Sequence, residues 1–363
     1  MPMATILEYK CPACDGSMTF DSELQKVKCP YCDTEYEMEA LRELDDTANA
    51  EDREDLSWEE PSGTQWHAGE EDGLCRYVCQ SCGGEIETDA TTAATACPYC
   101  DSPVVMAEHV SGSLRPDCII PFKLDKKAAE AALLKHLSGK PLLPKVFKDE
   151  NHIKEVKGVY VPFWLYDADV DADFRYRTTR VRHWSDSNYI YTETSHFSVH
   201  RAGTLGFQGV PVDGSAKMDD AMMESIEPYD LSQAVDFQTA YLAGFFADKY
   251  DVSSEKSAER ANSRIRQSTR DSFARTVMGY ASVIPQGSNI QLNSSKIRYA
   301  LLPVWLLTTK YNGQTYLFAM NGQTGKFVGD LPVDKGAYWK WWGIIAGAAS
   351  AASCIIAWLL SVL

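Results

Sequence analysis

The longest regular pattern lies in the middle of the chain. From Gly158 to Phe207, runs of β-branched and aromatic residues predict strands. Val159-Tyr160-Val161-Pro162-Phe163-Trp164-Leu165-Tyr166 is almost wholly apolar, as a central strand is, and Pro162 implies an edge or a bulge. Val170–Val181 and Tyr189–Val199 alternate only in part, so one face of each is expected to meet solvent. Short buried strands are predicted at 118–122 and at Tyr241–Ala247. Others are predicted at Tyr280–Ile284, Ile290–Leu292 and Ile297–Thr309, and a hairpin joins Thr315–Met320 to Lys326–Gly329. Helical spacing predicts Lys126–Leu137 behind an Asp125 cap, and 254–278 behind a Ser253 cap. The second helix sets Ala258, Ala261, Ile265, Phe273 and Val277 against Lys256, Arg260, Arg264, Arg266, Arg270 and Arg275. Val161-Pro-Phe-Trp-Leu165 matches Leu302-Pro-Val-Trp-Leu306, and each match follows a short strand and a helix. An internally duplicated α+β domain at 113–333, with an antiparallel-rich sheet, is the expectation.

The pattern changes at the end of the chain. Trp341 to Leu363 carries no charge, and its 23 residues (363 − 341 + 1) would make a helix of about 34 Å, enough for a hydrocarbon core of about 30 Å. Tyr338, Trp339 and Lys340 precede it as an interfacial anchor would. The reading is one carboxy-terminal transmembrane helix in a region 334–363. Lys335 and Lys340 on its amino side place the amino terminus in the cytoplasm of a single-pass cytoplasmic-membrane protein. Gly343, Gly347 and Ala351 share a face on which two copies could pair, giving a homo-oligomer. No secretory signal is read at Met1–Tyr9.

The chemistry sits in the cysteines. Cys11, Cys14, Cys29 and Cys32 form a C-x2-C-x14-C-x2-C unit, and Cys79, Cys82, Cys97 and Cys100 repeat it 68 positions later (79 − 11 = 97 − 29 = 68). Two paired knuckles supply four thiolates to one tetrahedral ion. Four thiolates leave no open position for catalytic water. Two structural Zn²⁺, held in small zinc-ribbon modules at 1–36 and 74–112, are expected. Gly16 and Gly83-Gly84 are read as the sharp turns after the first knuckles. Cys75, Cys118 and Cys354 are left over.

Charge narrows the choice of partner. The formal charge is −16, and Glu35–Asp72 carries −13 of it (fifteen Asp/Glu, two Arg). That tract, 37–73, reads as an extended acidic linker with a short helix near Met38–Leu44. Trp58 and Trp66 within it are read as docking locally on a ribbon or as a partner-binding motif. Neither ribbon offers the basic surface that phosphate binding requires, so protein partners are expected and nucleic acid is not. His196 and His200 lie four apart without the glutamate of a zinc-protease helix. Asp167, Asp169 and Asp171 alternate along a strand, as a solvated edge or a cation site would. With no phosphate loop, nucleophile elbow or catalytic Cys/His motif, no enzyme is expected.

The layout resembles the bacterial membrane-anchored, TFIIB-type zinc-ribbon proteins of the YdjG type. The resemblance is carried by Tyr77-Val-Cys79-Gln-Ser-Cys82-Gly-Gly-Glu-Ile, Ala93-Ala-Thr-Ala-Cys97-Pro-Tyr-Cys100, Pro116-Asp-Cys-Ile-Ile-Pro-Phe122, Tyr160-Val-Pro-Phe-Trp164 and Tyr241–Val252. It implies a partner of a flotillin-like or virion-core-like protein and of phage-shock protein A in envelope stress. The expected function is a non-enzymatic scaffold that recruits cytosolic partners to the membrane. The alternative is a membrane-tethered transcription regulator using its ribbons on nucleic acid.

Overall fold

The computed structural model describes residues 9–48, 52–61, 66, 74–89, 96–109, 114–148 and 155–362. The sequence expectations at Met1–Glu8, Gly63 and Gly69 lie outside them. The chain begins with three short strands, β1 (Thr19–Asp21), β2 (Lys26–Lys28) and β3 (Glu35–Tyr36), then α1 (Met38–Ala48) and β4 (Arg53–Asp55). The second ribbon supplies β5 (Leu74–Cys79), β6 (Glu85–Asp89) and β7 (Val104–His109). Next come β8 (Cys118–Ile119), α2 (Lys126–Leu137) and two long strands, β9 (Lys157–Ser185) and β10 (Ile190–Asp213). A short α3 (Asp220–Ser225), β11 (Val235–Asp236), β12 (Phe246–Asp248) and α4 (Ser254–Ala274) lead to β13 (Ser282–Tyr311). The chain closes with β14 (Gln314–Asn321), β15 (Phe327–Gly329) and α5 (Lys335–Val362). Among the described residues the strands form a 3-stranded sheet, β1-β2-β3, and a mixed sheet of 12 strands.

Three expectations are corrected. The large sheet has more antiparallel than parallel pairings but is mixed: β12 runs parallel to β9, and β8 and β4 run parallel to β13. The second ribbon is not a separate module, because β6 pairs with β12 and so joins the large sheet. The third correction concerns the carboxy terminus. A helix forms there, but among the described residues no helix is long and apolar enough to cross a membrane. The first turns of that helix are taken by Lys335, Lys340, Trp339, Trp341 and Trp342, charged or interfacial residues that shorten the apolar stretch among the described residues. The transmembrane helix at 341–363 and the cytoplasmic-membrane location read from it are corrected with it.

The chain divides into two compact units. The first comprises 1–59, 166–210 and 258–296. Its core packs Val170, Phe174 and Tyr176 of β9 against Ile265 and Phe273 of α4 and Ile290 of β13. These α4 positions fall on the apolar side read from sequence, although the helix stops at Ala274 rather than 278. The opposite side of α4 is taken by the acidic tract. Arg266 bonds Glu54 bidentately, with Nε at 2.7 and 2.8 Å from its oxygens, and Arg270 reaches Asp52 and Glu54. Arg53, Glu54 and Asp55 pair in parallel with Asn289, Ile290 and Gln291. Trp58 donates to Asn262 at 2.6 Å and meets Tyr166 edge-on. The described part of the expected linker is therefore bound chain, because its carboxylates find arginines and its tryptophan finds a core edge. Trp58 docks on α4 and β9, not on a ribbon.

The second unit comprises 60–165, 211–257 and 297–363. Its two halves make the same bonds. Val159 and Tyr160 pair with Phe246 and Ala247, as Ala300 and Leu301 pair with Cys118 and Ile119. The equivalent residues stand 141 positions apart on the long strands (300 − 159) and 128 apart on the short ones (246 − 118). Trp164 donates its indole N–H to Val252 O at 2.9 Å, and Trp305 donates to Leu124 O at 3.1 Å. Pro162 O accepts from Gly214 and Pro303 O from Gly322, both at 2.8 Å. The helices that follow the short strands are capped alike, Asp125 accepting from Ala128 N–H and Ser253 from Lys256 N–H. One expected element differs. The run Tyr241–Ala247 is not one strand: Thr239–Leu242 is a 3-10 turn, and Gly244 at φ +81° bends the chain before β12. Trp66, in this unit, meets Phe237 edge-on.

Candidate metal centres

Four knuckles are built to one plan. In each, the N–H of the first cysteine bonds the carbonyl five residues on, and its own carbonyl accepts from the N–H four residues on. The pairs are Cys11 with Gly16 and Asp15, Cys29 with Thr34 and Asp33, Cys79 with Gly84 and Gly83, and Cys97 with Ser102 and Asp101. The residue after the second cysteine takes positive φ in every knuckle: Asp15 (61°), Asp33 (58°), Gly83 (71°) and Asp101 (57°). Aspartate and glycine are residues that tolerate this left-handed turn. The turn residue of the first knuckle is thus Asp15 and not Gly16. Gly16 is needed for another reason, since a Cβ there would lie 2.5 Å from the ring of Tyr31. The corresponding Gly84 faces Tyr99, the matching ring of the second ribbon, at 3.5 Å. The sequence signal for the turn is C-x2-C-[D/G], one position before the glycine to which the spacing alone draws attention.

This plan brings all eight sequence-predicted ligands together in two groups. Cys11, Cys14, Cys29 and Cys32 form one and Cys79, Cys82, Cys97 and Cys100 the other, with the sulfurs of each group within 4.8 Å of one another. Sγ–Sγ distances are 3.6 Å for Cys11–Cys32 and 3.5 Å for Cys14–Cys29. They are 3.6 Å for Cys79–Cys100 and for Cys82–Cys97. A tetrahedron with metal–sulfur bonds of about 2.3 Å has edges of about 3.8 Å, so each group fits a four-coordinate metal ion of this kind. The first cysteine of each knuckle is buried and the second more exposed. The Thr34 hydroxyl and N–H pull the Cys32 thiol down to about 6. At Cys100 burial pushes the thiol up, but hydrogen bonds from Ser102 outweigh it and bring it to about 6. Cys11, Cys82 and Cys97 are held up mainly by burial, and Cys14, against the pull of the Gly16 N–H, by its neighbouring thiols, so one sulfur in each group ionises ahead of these. Cys75, Cys118 and Cys354 join neither group.

The surroundings of the two groups differ. The first stands on the 3-stranded sheet, and nearby lysines are spent on its knuckle aspartates, Lys10 on Asp15 and Lys28 on Asp33. In the second, Cys79 and Cys97 belong to the same apolar cluster as Val159, Val161, Phe163, Leu302 and Val304. A buried polar cluster adjoins its Tyr99. There Asp248, 1% exposed, accepts from the Ser215 hydroxyl at 2.6 Å. Burial pushes the Asp248 carboxyl up to about 7, against the pull of Ser215 and of the Lys217 charge. Glu87 is raised by burial in the same way, opposed by Arg76.

Asp248 gives a pH prediction. Its unfolded pKa is about 3.9, so between about pH 4 and about pH 7 the unfolded chain releases a proton that the folded chain keeps. The folded state loses stability over that window, and the loss is complete above the folded value. Asp248→Asn removes this slope while its amide oxygen still accepts from Ser215. Urea midpoints measured across the window are expected to show wild type losing ground to the variant as pH rises. A difference that does not change with pH contradicts the assignment.

The other polar patterns are structural. Asp167 accepts from Gly209 N–H, Asp169 from Ser294, and Asp171 from Thr204 and Asn293. These bonds tie neighbouring strands together rather than gather oxygens around a cation. His200 pairs with Asp173 at 2.7 Å, and no potential metal cluster among the described residues includes His196 or His200.

No family model matches the chain. No solved structure matches it either. A curated protein does: the chain is 35% identical over 342 residues to the "Uncharacterized protein YdjG" of Bacillus subtilis (strain 168), covering 94% of this chain and 95% of that one. Identity at this level over nearly the whole of both chains shows that the protein belongs to the YdjG family.

Proposed function

We propose that each four-cysteine group holds one structural Zn²⁺ in a TFIIB-type ribbon, and that the protein is a non-enzymatic scaffold for protein partners. The observation that carries this reading is the closed donor set. Four thiolates at tetrahedral spacing occupy every position around the ion, so the metal holds structure and does no chemistry on a substrate. Zinc is favoured because all-thiolate tetrahedral sites suit it and it brings no redox chemistry. When bound, it would replace repulsion among four thiolates with a rigid cross-link between two knuckles. Protein is favoured over nucleic acid because the lysines of the first ribbon already face aspartates, and Lys157 beside the second faces Asp101 at 3.1 Å. A flotillin-like protein and phage-shock protein A are the first candidates to test.

Two measurements on the intact chain test this. Metal analysis is expected to give two zinc per chain, and one per chain contradicts the paired sites. Co-purification with the two named candidates, against a mobility-shift assay with duplex DNA at low salt, separates scaffold from regulator. Protein capture without a shift is expected. A salt-sensitive shift without capture overturns the scaffold.

A further inference from the structure

The distal end of the β9–β10 hairpin extends past the rest of its unit. Just before β13, Ala281 N–H bonds Thr179 O of β9 at 2.7 Å. Beyond it, every residue from Arg180 to Thr194 is exposed. The tip closes in a turn whose Asp186 carboxylate accepts from Asn188 N–H, Tyr189 N–H and the Tyr191 hydroxyl. A bare two-stranded ribbon is marginal in water, yet this one carries Val181, Trp184, Tyr189, Ile190 and Tyr191 into solvent, with Ile190 82% and Tyr189 66% exposed.

Those residues are ordered as a ladder. Arg180 lies over the rings of Phe197 and Tyr280, at 5.3 and 5.5 Å. Arg182 lies over Trp184 at 5.6 Å, and Trp184 stacks on Tyr191 at 5.5 Å with planes 13° apart. The inner rung, Phe197 with Tyr280, packs against the core of the unit; the outer rungs cover nothing. Neither Arg180 nor Arg182 has a carboxylate within ion-pair distance among the described residues. Stacking on a ring restrains a guanidinium and leaves its N–H donors free for a carboxylate. Between Arg175 and Arg201 there are five arginines against Asp186 and Glu193 alone, a balance of +3 in a chain of −16.

We propose that this hairpin tip is the docking surface for a partner protein, and that it takes a segment in which carboxylates alternate with apolar side chains. Carboxylates match the two guanidiniums of Arg180 and Arg182, each able to bond bidentately. Apolar side chains match Ile190 and Val181, which gain only by burial against other apolar groups. Trp, Tyr and Arg held rigid at a protruding point are the residue types that carry binding energy at protein interfaces. A single-stranded nucleic acid fits less well. The Trp184 ring is already engaged by Tyr191 and Arg182, and aliphatic Ile190 and Val181 offer a base no stacking face. The surface is independent of the two four-cysteine groups and stands whether or not they hold zinc.

The test uses the full chain and a fluorescein-labelled synthetic peptide of alternating Glu and Leu, with a thymidine oligonucleotide of equal length as competitor probe. Binding is read by anisotropy at low salt. Arg180→Gln/Arg182→Gln and, separately, Trp184→Ala/Ile190→Ser are expected to weaken the peptide at least about tenfold. Arg275→Gln, a change at an exposed arginine on another element, is expected to leave it unaltered. Far-ultraviolet circular dichroism checks that the fold is kept, which exposed tip residues should not disturb. The proposal is overturned if wild type does not bind the peptide, or if tip variants bind it as wild type does. It is also overturned if the oligonucleotide binds more tightly than the peptide, or if the tip variants instead abolish self-association of the chain.

Discussion

Cys97→Ser is expected to unfold the second unit, whereas Cys29→Ser is expected to melt only the first ribbon. Both cysteines are fully buried members of four-thiol groups, so local chemistry does not separate them. Their neighbours do. Cys97 and Cys79 lie in one apolar cluster with β9 and β13, and the ribbon strands β5, β6 and β7 continue the large sheet through β12. Cys29 serves a 3-stranded sheet whose strands are two or three residues long. Metal binding in small thiolate sites is worth about 10–16 kcal/mol at neutral pH, comparable with the whole stability of a domain, about 5–15 kcal/mol. Losing one ligand forfeits much of that and leaves three thiols crowded without a cation. In the second site the loss falls on the core of the unit itself. Near-ultraviolet circular dichroism, to which the buried Trp164 and Trp305 contribute, is expected to lose much of its intensity for Cys97→Ser and to persist for Cys29→Ser. A chelator titration should show the same order, with the Trp signal lost only when the second metal leaves. If both variants keep the Trp signal, the second site is an appendage and this account of it is wrong.

The two four-cysteine groups were legible because paired C-x2-C knuckles at matched spacing bring four thiols to short range. The helix at 126–137 and the apolar side of α4 were legible for a similar local reason: caps and helical spacing act within a few residues. What was not legible depends on contacts across long stretches of chain. The acidic tract reads as self-repelling until Arg266 and Arg270, more than two hundred positions later, are found opposite Glu54. The second ribbon reads as a module because nothing local says that β6 pairs with β12. Tyr241–Ala247 reads as a strand by its apolar run, and only the backbone at Gly244 shows the bend. The carboxy-terminal stretch reads as a membrane span from its freedom from charge alone, whereas among the described residues Lys340 and the tryptophans around it occupy the start of the helix and no helix qualifies as a span.

Trp164→Ala is expected to be the most destabilising single change outside the cysteines, at about 3–5 kcal/mol. Trp164 is the largest of the fully buried side chains, at 1% exposure. Its ring packs with Tyr250 and Tyr299, at 5.2 and 5.3 Å between centroids. Its N–H satisfies Val252 O, one residue before the Ser253 cap of α4, so the same side chain fixes the sheet and the start of a helix. The site cannot collapse cheaply, because Gly214 already approaches so closely that a Cβ there would lie 3.2 Å from Nε1. Trp164→Phe separates the terms: it keeps most of the volume and removes the bond, and leaving a buried carbonyl unpaired costs about 1–3 kcal/mol. Trp305 makes the matching bond to Leu124 O but is 6% exposed, and its ring neighbours are Phe122 and Phe245. Trp305→Phe should therefore cost about as much as Trp164→Phe, since the lost bond is the same. Trp305→Ala should cost less than Trp164→Ala, since less area is given up. Urea unfolding followed by circular dichroism measures all four. Unequal costs for the two phenylalanine variants would show that the two bonds, alike in geometry, are not alike in what they hold together.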